Sequence, residues 1–133
     1  MKQIGKRILK KVVLMMCIVA TLVLGMGVSI VSANSASGKI GNYATGASSN
    51  IYRTSAKAST SFASTGSVTV NSNYSYVNIN TLVTGTIPKN KGYYSSCSVS
   101  FTAPSNCHSV KINSSHCVSA YGQKWTTNTS AVY

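Results

Sequence analysis

Residues 92–121 read GYYSSCSVSFTAPSNCHSVKINSSHCVSAY and carry the clearest strand pattern in the chain. Apolar and polar residues alternate from Cys97 to Ala103, which is the period of a half-buried strand. Pro104–Asn106 is a turn signal, and a second alternation runs from His108 to Ile112. The pattern predicts a β-hairpin, with a third strand beginning near His116 and ending at about residue 121.

The same alternation extends on both sides of this hairpin. It predicts a strand at Ser67–Val70, a turn at Asn71–Asn73, a long strand at Tyr74–Thr84, a break at Pro88–Gly92 and a last strand at Lys124–Thr127. No helical periodicity of ten residues or more follows residue 33. Many short strands separated by turn residues are typical of a small sandwich or barrel. We therefore predict an all-β, single-domain antiparallel β-sandwich, immunoglobulin-like or barrel-like, over residues 66–133.

The N-terminal segment, residues 1–33, has the pattern of a secretory signal peptide. A Lys/Arg-rich start precedes an apolar run from Val12 to Leu24, and Val31-Ser32-Ala33 offers small residues for cleavage after Ala33. An uncleaved anchor over residues 12–31 is the alternative. Residues 34–65 are rich in Ser, Ala, Gly and Thr, which leaves two hypotheses open: a spacer, or weak edge strands around 39–44 and 51–57. We expect the protein to be secreted.

The charge of the chain is unusual and excludes several kinds of chemistry. There are twelve Lys and Arg residues and no Asp or Glu. A glycosidase needs a pair of carboxylic acids, calcium and magnesium sites need carboxylate oxygens, and a Ser-His-Asp triad would lack its acid. Seven of the basic residues follow residue 33: Lys39, Arg53, Lys57, Lys89, Lys91, Lys111 and Lys124. Because they are spread along an exported chain, an anionic cell-wall polymer or membrane surface is the expected partner, and nucleic acid is not.

Three cysteines, ten residues apart, lie in the strand-rich part of the chain. Export favours a disulfide over free thiols. In a simple meander of three strands, the outer two are about 10 Å apart, beyond the roughly 7 Å that a disulfide can bridge between Cα atoms. Cys107 and Cys117 would lie on neighbouring strands, so the sequence predicts a Cys107–Cys117 bond. Cys97 is then a buried free thiol beside Val99 and Phe101.

The pairs Cys107-His108 and His116-Cys117 also suggest metal-binding or thiol chemistry. Adjacent residues of a strand point to opposite faces, so neither pair can aim both side chains at one ion. We therefore predict no metal site and no cofactor. A thiol enzyme, with Cys97 or Cys107 as nucleophile and His116 as base, is a weaker alternative, since the chain shows no helix N-terminus to lower a thiol pKa.

The sequence thus predicts a secreted, cationic, non-catalytic β-protein that binds anionic cell-envelope or extracellular material. The expected binding residues are cations and aromatics on or beside the hairpin loops: Lys89, Lys91, Tyr93, Tyr94 and Lys111. A bacteriocin-like protein that acts on a neighbouring cell's envelope is the alternative function. The charge could also serve solubility alone.

Overall fold

A computed structural model describes residues 32–133 and places eight β-strands in them. The strands are β1 Ser32–Ile40, β2 Tyr43–Tyr52, β3 Ser55–Phe62, β4 Ser67–Asn78, β5 Thr84–Tyr93, β6 Ser96–Thr102, β7 Cys107–Ala120 and β8 Gln123–Val132. These residues contain no helix, and therefore none long and apolar enough to cross a membrane. The predicted signal peptide and its alternative, an anchor, lie outside the described residues, except that Ser32 and Ala33 begin β1.

Two four-stranded antiparallel sheets pack against each other, which confirms the predicted all-β sandwich. The first sheet has the order β1-β2-β3-β6 and the second the order β5-β4-β7-β8. Residues 34–65 belong to the first sheet almost throughout, because β1, β2 and β3 form two successive hairpins. The chain passes between the sheets after β3, β5 and β6. The four edges of the sandwich are therefore β1, β6, β5 and β8.

The core lies between the sheets and follows the period of two expected of half-buried strands. Every second residue of β4 faces inward, from Val68 to Tyr74. The Tyr74 ring stacks on Phe101 of the opposite sheet, with 5.2 Å between ring centroids. Burying such a side chain stabilises a fold by about 1.5–3 kcal/mol. The remaining large apolar core residues include Ile40, Ile51, Phe62, Val99, Ile112 and Val118.

Several predicted strand boundaries are wrong, because polar and turn-type residues within strands were interpreted as breaks and the loop at residues 79–83 was interpreted as part of a strand. Asn71–Asn73 lies inside β4, with both asparagines exposed on the outer side of the second sheet. The predicted long strand ends at Asn78, where a loop leads into β5. Pro88–Gly92 lies within β5, which is an edge strand, the position in a sheet that tolerates proline.

The predicted Cys107–Cys117 disulfide is also wrong, because residues 107–120 form one strand of 14 residues. At about 3.4 Å per residue, ten positions along a strand span roughly 34 Å, far beyond disulfide reach. Cys97, Cys107 and Cys117 are all free thiols. Cys97 is buried in the core next to Val99 and Phe101, as the sequence predicted.

Candidate functional site: the outer face of the second sheet

Two of the predicted binding lysines lie on the core side of edge strand β5. Lys89 pairs with buried Ser72, and Lys91 pairs with buried Val70. Both lysine side chains therefore project from the inner face of the second sheet. Lys89 Nζ donates to the Ser100 carbonyl at 2.6 Å and lies 5.1 Å from the centroid of the Phe101 ring. This lysine therefore covers the open edge of the core between β5 and β6, and its ammonium group already has protein partners.

The two predicted tyrosines lie at one end of the sandwich. Tyr93 and Tyr94 are 65% and 68% exposed and pack edge to face, with their ring centroids 5.7 Å apart. A second pair, Tyr43 stacked on Tyr121 at 5.7 Å, lies at the same end, where the β1–β2 and β7–β8 turns meet. Stacked and edge-to-face pairs of this kind are favourable in themselves.

The fifth predicted binding residue, Lys111, points away from the other two lysines. It pairs with Ser75 and Val132, while its neighbour Ile112 is fully buried, so the Lys111 side chain lies on the outer face of the second sheet. The structure therefore does not bring the five predicted residues into one site. Only Lys111 lies on a broad, exposed surface of a sheet.

That surface is lined by asparagines, which the sequence analysis had interpreted as turn residues. In one row across the sheet, Asn90, Asn71, Ser115 and Asn128 are successive neighbours. In the next row, Asn73 pairs directly with Asn113. We call this outer surface of the second sheet, around Asn71, Asn73, Asn113 and Asn128, the asparagine face. The period-two spacing of Asn71 and Asn73 after Val68 and Val70 was the signal that could have placed them there.

Two open grooves lie along the asparagine face. A groove of about 410 Å³ is lined by its four asparagines together with Asn34 of β1. A second groove of about 390 Å³ shares Asn71, Ser115 and Asn128 with the first and continues along the face past Cys117 and Thr126. The two grooves thus form one continuous depression along the sheet.

Exposed lysines lie at both ends of this depression. Lys111 occupies the row beyond Asn113, and Lys124 of β8 pairs with Ser119 at the other end of β7. Eight residues separate Lys111 from Ser119, so at about 3.4 Å per residue the two cationic ends are roughly 27 Å apart. Because the sequence contains no Asp or Glu, no acidic side chain offsets these charges.

The chemistry of the face suits a ligand that is both hydroxylated and anionic. An asparagine amide offers two donors and an acceptor, so it can pair with a hydroxyl group in either role. A lysine ammonium group provides a mobile point charge for phosphate or carboxylate. The face lacks exposed large apolar side chains apart from Val132 at one margin, so it is not suited to an apolar partner.

Within the described residues, neither histidine is hydrogen-bonded to a cysteine. His116 is 1% exposed, and both its ring nitrogens lie 2.7 Å from threonine hydroxyls, Nδ1 from Thr60 and Nε2 from Thr129. His108 Nε2 accepts a hydrogen bond from Arg53 Nε at 3.2 Å. Within residues 34–133, moreover, no three potential metal-ligating side chains lie together.

His116 belongs instead to a hydroxyl network that joins the two sheets through the core. Thr129 Oγ1 lies 2.5 Å from Ser49 Oγ. Ser114 Oγ accepts hydrogen bonds from Ser49 Oγ at 3.0 Å and from Ser72 Oγ at 2.8 Å. Burial lowers the pKa of His116, because the interior disfavours the charged ring. Burial therefore favours the neutral form of the ring.

The fold and this face define a class of protein: a β-sandwich with a cationic, amide-lined outer sheet. No family model, curated protein or solved structure matches the chain.

Proposed function

We propose that the protein is an exported, non-catalytic binding protein that holds an anionic, hydroxyl-rich polymer of the cell envelope on its asparagine face. The observation that carries this proposal is the pairing of an asparagine-lined groove with an exposed lysine at each end, on a chain without a single acidic residue. A polyol phosphate or an acidic polysaccharide has the matching chemistry, with hydroxyl groups between regularly spaced charges.

The arrangement of the groove supports a polymer more than a small molecule. Small-molecule sites are deep and bury most of their ligand, whereas this depression is shallow and extends along β7. Polar contacts spread over a strand length suit an extended chain. Each one is individually weak, since a typical net hydrogen bond contributes about 0.5–1.5 kcal/mol, so several repeats must be engaged together.

A panel of three soluble polymers tests the proposal on the purified protein. Poly(glycerol phosphate) has both hydroxyls and charge, dextran has hydroxyls alone, and polyphosphate has charge alone. We expect the tightest binding to poly(glycerol phosphate) by calorimetry. Replacing Asn71 and Asn113 by Ala should weaken it by at least about threefold to tenfold, since two amide side chains that each contribute about 0.5–1.5 kcal/mol per hydrogen bond are lost.

The matched control replaces Ser48 and Ser59 by Ala on the outer face of the first sheet, where the two hydroxyls lie 2.8 Å apart. This control should leave binding unchanged. Equal affinity for polyphosphate and poly(glycerol phosphate), together with no effect of the two asparagine changes, would show that charge alone is recognised and that the asparagine face is not the site.

A further inference from the structure

The loop between β4 and β5 exposes an aliphatic surface. This loop, residues 79–83 (the 79–83 loop), reads Ile-Asn-Thr-Leu-Val. Ile79, Val83 and Leu82 are 48%, 65% and 77% exposed. Three aliphatic side chains at one loop tip differ from the single exposed apolar residues that any surface carries.

Leu82 also adopts a backbone conformation that leucine disfavours. Its φ is +59°, in the left-handed region where glycine or asparagine is usual, because a side chain crowds the following carbonyl there. A leucine at this position costs stability without contributing to the core. Backbone strain of this kind clusters at functional sites, and the structure thus presents an exposed leucine at a conformational cost.

The backbone of the 79–83 loop is organised around Asn78. The Asn78 side-chain oxygen accepts from the backbone N–H groups of Asn80 at 2.9 Å and Thr81 at 3.1 Å. The Asn78 carbonyl accepts from Leu82 N–H at 2.8 Å, and Asn78 N–H donates to Val83. Ile79 N–H donates to the Asn106 carbonyl, and Val83 N–H reaches Thr81 Oγ1 at 3.4 Å.

Every backbone N–H from residue 78 to residue 83 therefore has a partner within the protein. An ordinary exposed loop relies on water for many of its donors. A loop that enters the interfacial region of a bilayer loses that water, and each unpaired donor would then be costly. The 79–83 loop can therefore enter this region without leaving a backbone N–H group unpaired.

Cationic side chains lie at the same end of the sandwich. Ile79 N–H bonds to the β6–β7 turn, and Ser109 N–H bonds to the Arg53 carbonyl in the β2–β3 turn, so these turns and the loop are neighbours. Arg53 is exposed there, and Lys111 lies on β7, four residues from its start. Cations beside exposed aliphatic groups are the pattern of a peripheral membrane contact, in which the charges attract anionic headgroups.

We propose that the 79–83 loop anchors the protein to an anionic lipid bilayer by inserting Leu82 and Val83 between headgroups. This contact shares Lys111 with one end of the asparagine face, but the inserted side chains lie outside that face and the contact does not depend on polymer binding there. An anionic bilayer fits this end better than a second copy of the chain does, because the chain has no acidic side chain that could pair with these cations.

Co-sedimentation with vesicles tests the anchor. The purified protein should sediment with phosphatidylglycerol vesicles and much less with phosphatidylcholine vesicles. Leu82→Asn should weaken sedimentation by roughly tenfold, since it removes the largest inserted group. The same change should raise or preserve the melting temperature, because asparagine tolerates the left-handed conformation. Lower vesicle binding in a protein of equal or higher stability cannot result from unfolding.

The matched control is Tyr94→Ser, which removes an exposed apolar side chain at the other end of β4 and should leave vesicle binding unchanged. If Tyr94→Ser abolishes vesicle binding while Leu82→Asn does not, the tyrosine end is the membrane contact and the proposal is overturned. The proposal is likewise overturned if the unchanged protein does not bind phosphatidylglycerol vesicles and Leu82→Asn changes its oligomeric state in light scattering. The 79–83 loop would then be a contact between copies of the chain. Poly(glycerol phosphate) binding by Leu82→Asn should equal that of the unchanged protein, which keeps this test distinct from that of the asparagine face.

Discussion

At the scale of single residues, His116 is the most informative side chain in the core. Thr60 donates its only hydroxyl proton to the Thr69 carbonyl at 3.1 Å, so it accepts a hydrogen bond from His116 Nδ1–H. His116 Nε2 lies 2.7 Å from Thr129 Oγ1. Protonation of the ring would place a charge between the two sheets, and burial in the interior disfavours that imidazolium form.

The stability of the protein should therefore fall in mild acid, and His116 should be the cause. Its folded pKa is lowered by burial, so below pH of about 6.5 the unfolded chain binds more protons than the folded one. The contribution of His116 is present in full above that pH and is lost as the pH falls, with a slope of at most about 1.4 kcal/mol per pH unit. Urea unfolding between about pH 5 and pH 8 measures this slope.

The absence of Asp and Glu makes this experiment unusually clear. The only other histidine is His108, and the sequence has no carboxylic side chain that could titrate in the range measured. His116→Gln should flatten the pH dependence, whereas His108→Gln should leave most of it in place. An unchanged slope in His116→Gln would mean that the buried ring is not the acid-sensitive group.

At the scale of the elements, the length of β7 determines the state of the cysteines. Cys107 is buried near the start of the strand, and Cys117 is half-buried on its outer side. Burial raises the pKa of Cys97, which reduces the fraction of reactive thiolate. The three thiols should therefore differ in reactivity although none of them is bonded.

Alkylation followed by peptide mapping under non-reducing conditions tests this arrangement. In the native protein we expect Cys117 to react first, and Cys97 and Cys107 to react only after unfolding. No linked peptide should contain both Cys107 and Cys117. Recovery of such a peptide from freshly purified protein would contradict the single-strand description of residues 107–120.

Sequence patterns predict the sandwich but not its strand boundaries, and β4 and β7 show why. The alternation of Val68 and Val70 gives the period of a strand, but the following Asn71 and Asn73 resemble a turn when read alone. Likewise, Ser114 and Ser115 resemble a loop, yet Ser114 is buried and bonded to Ser49 and Ser72. Polar residues in a strand are tolerated on an outer face or within a hydrogen-bonded core network, and neither context is visible before the sheets are assembled.

The residues of the candidate site could also be predicted only in part from the sequence. Lys111 was predicted from its charge and lies on the asparagine face, whereas Lys89 was predicted on the same grounds and instead covers the core edge against Phe101. Charge is visible in a sequence, but the face from which a lysine projects depends on strand register. The exposed Leu82 was missed for a related reason, because its segment was assigned to a strand.

At the scale of the whole molecule, the seven cations of residues 32–133 are spread over both sheets and both ends. The structure provides a comparison of two faces with equal charge: Lys111 and Lys124 lie on the outer face of the second sheet, while Lys39 and Lys57 lie on that of the first. Each pair can be neutralised without touching the core. Lys89 is left unchanged in both variants because its contacts with Ser100 and Phe101 stabilise the fold.

The most direct test of the asparagine face is therefore the affinity for poly(glycerol phosphate) of two double variants, Lys111→Gln/Lys124→Gln and Lys39→Gln/Lys57→Gln. Both lose the same charge, so non-specific attraction falls equally in the two. We predict that the first variant binds roughly tenfold more weakly than the second, about 1.4 kcal/mol for two surface charges in contact with ligand. We also predict that this difference shrinks as ionic strength rises from about 0.05 to 0.5 M, over which screening shortens to a few ångströms. Equal affinities of the two variants at low salt would contradict the account, because the polymer would then be attracted by net charge and not held by this face.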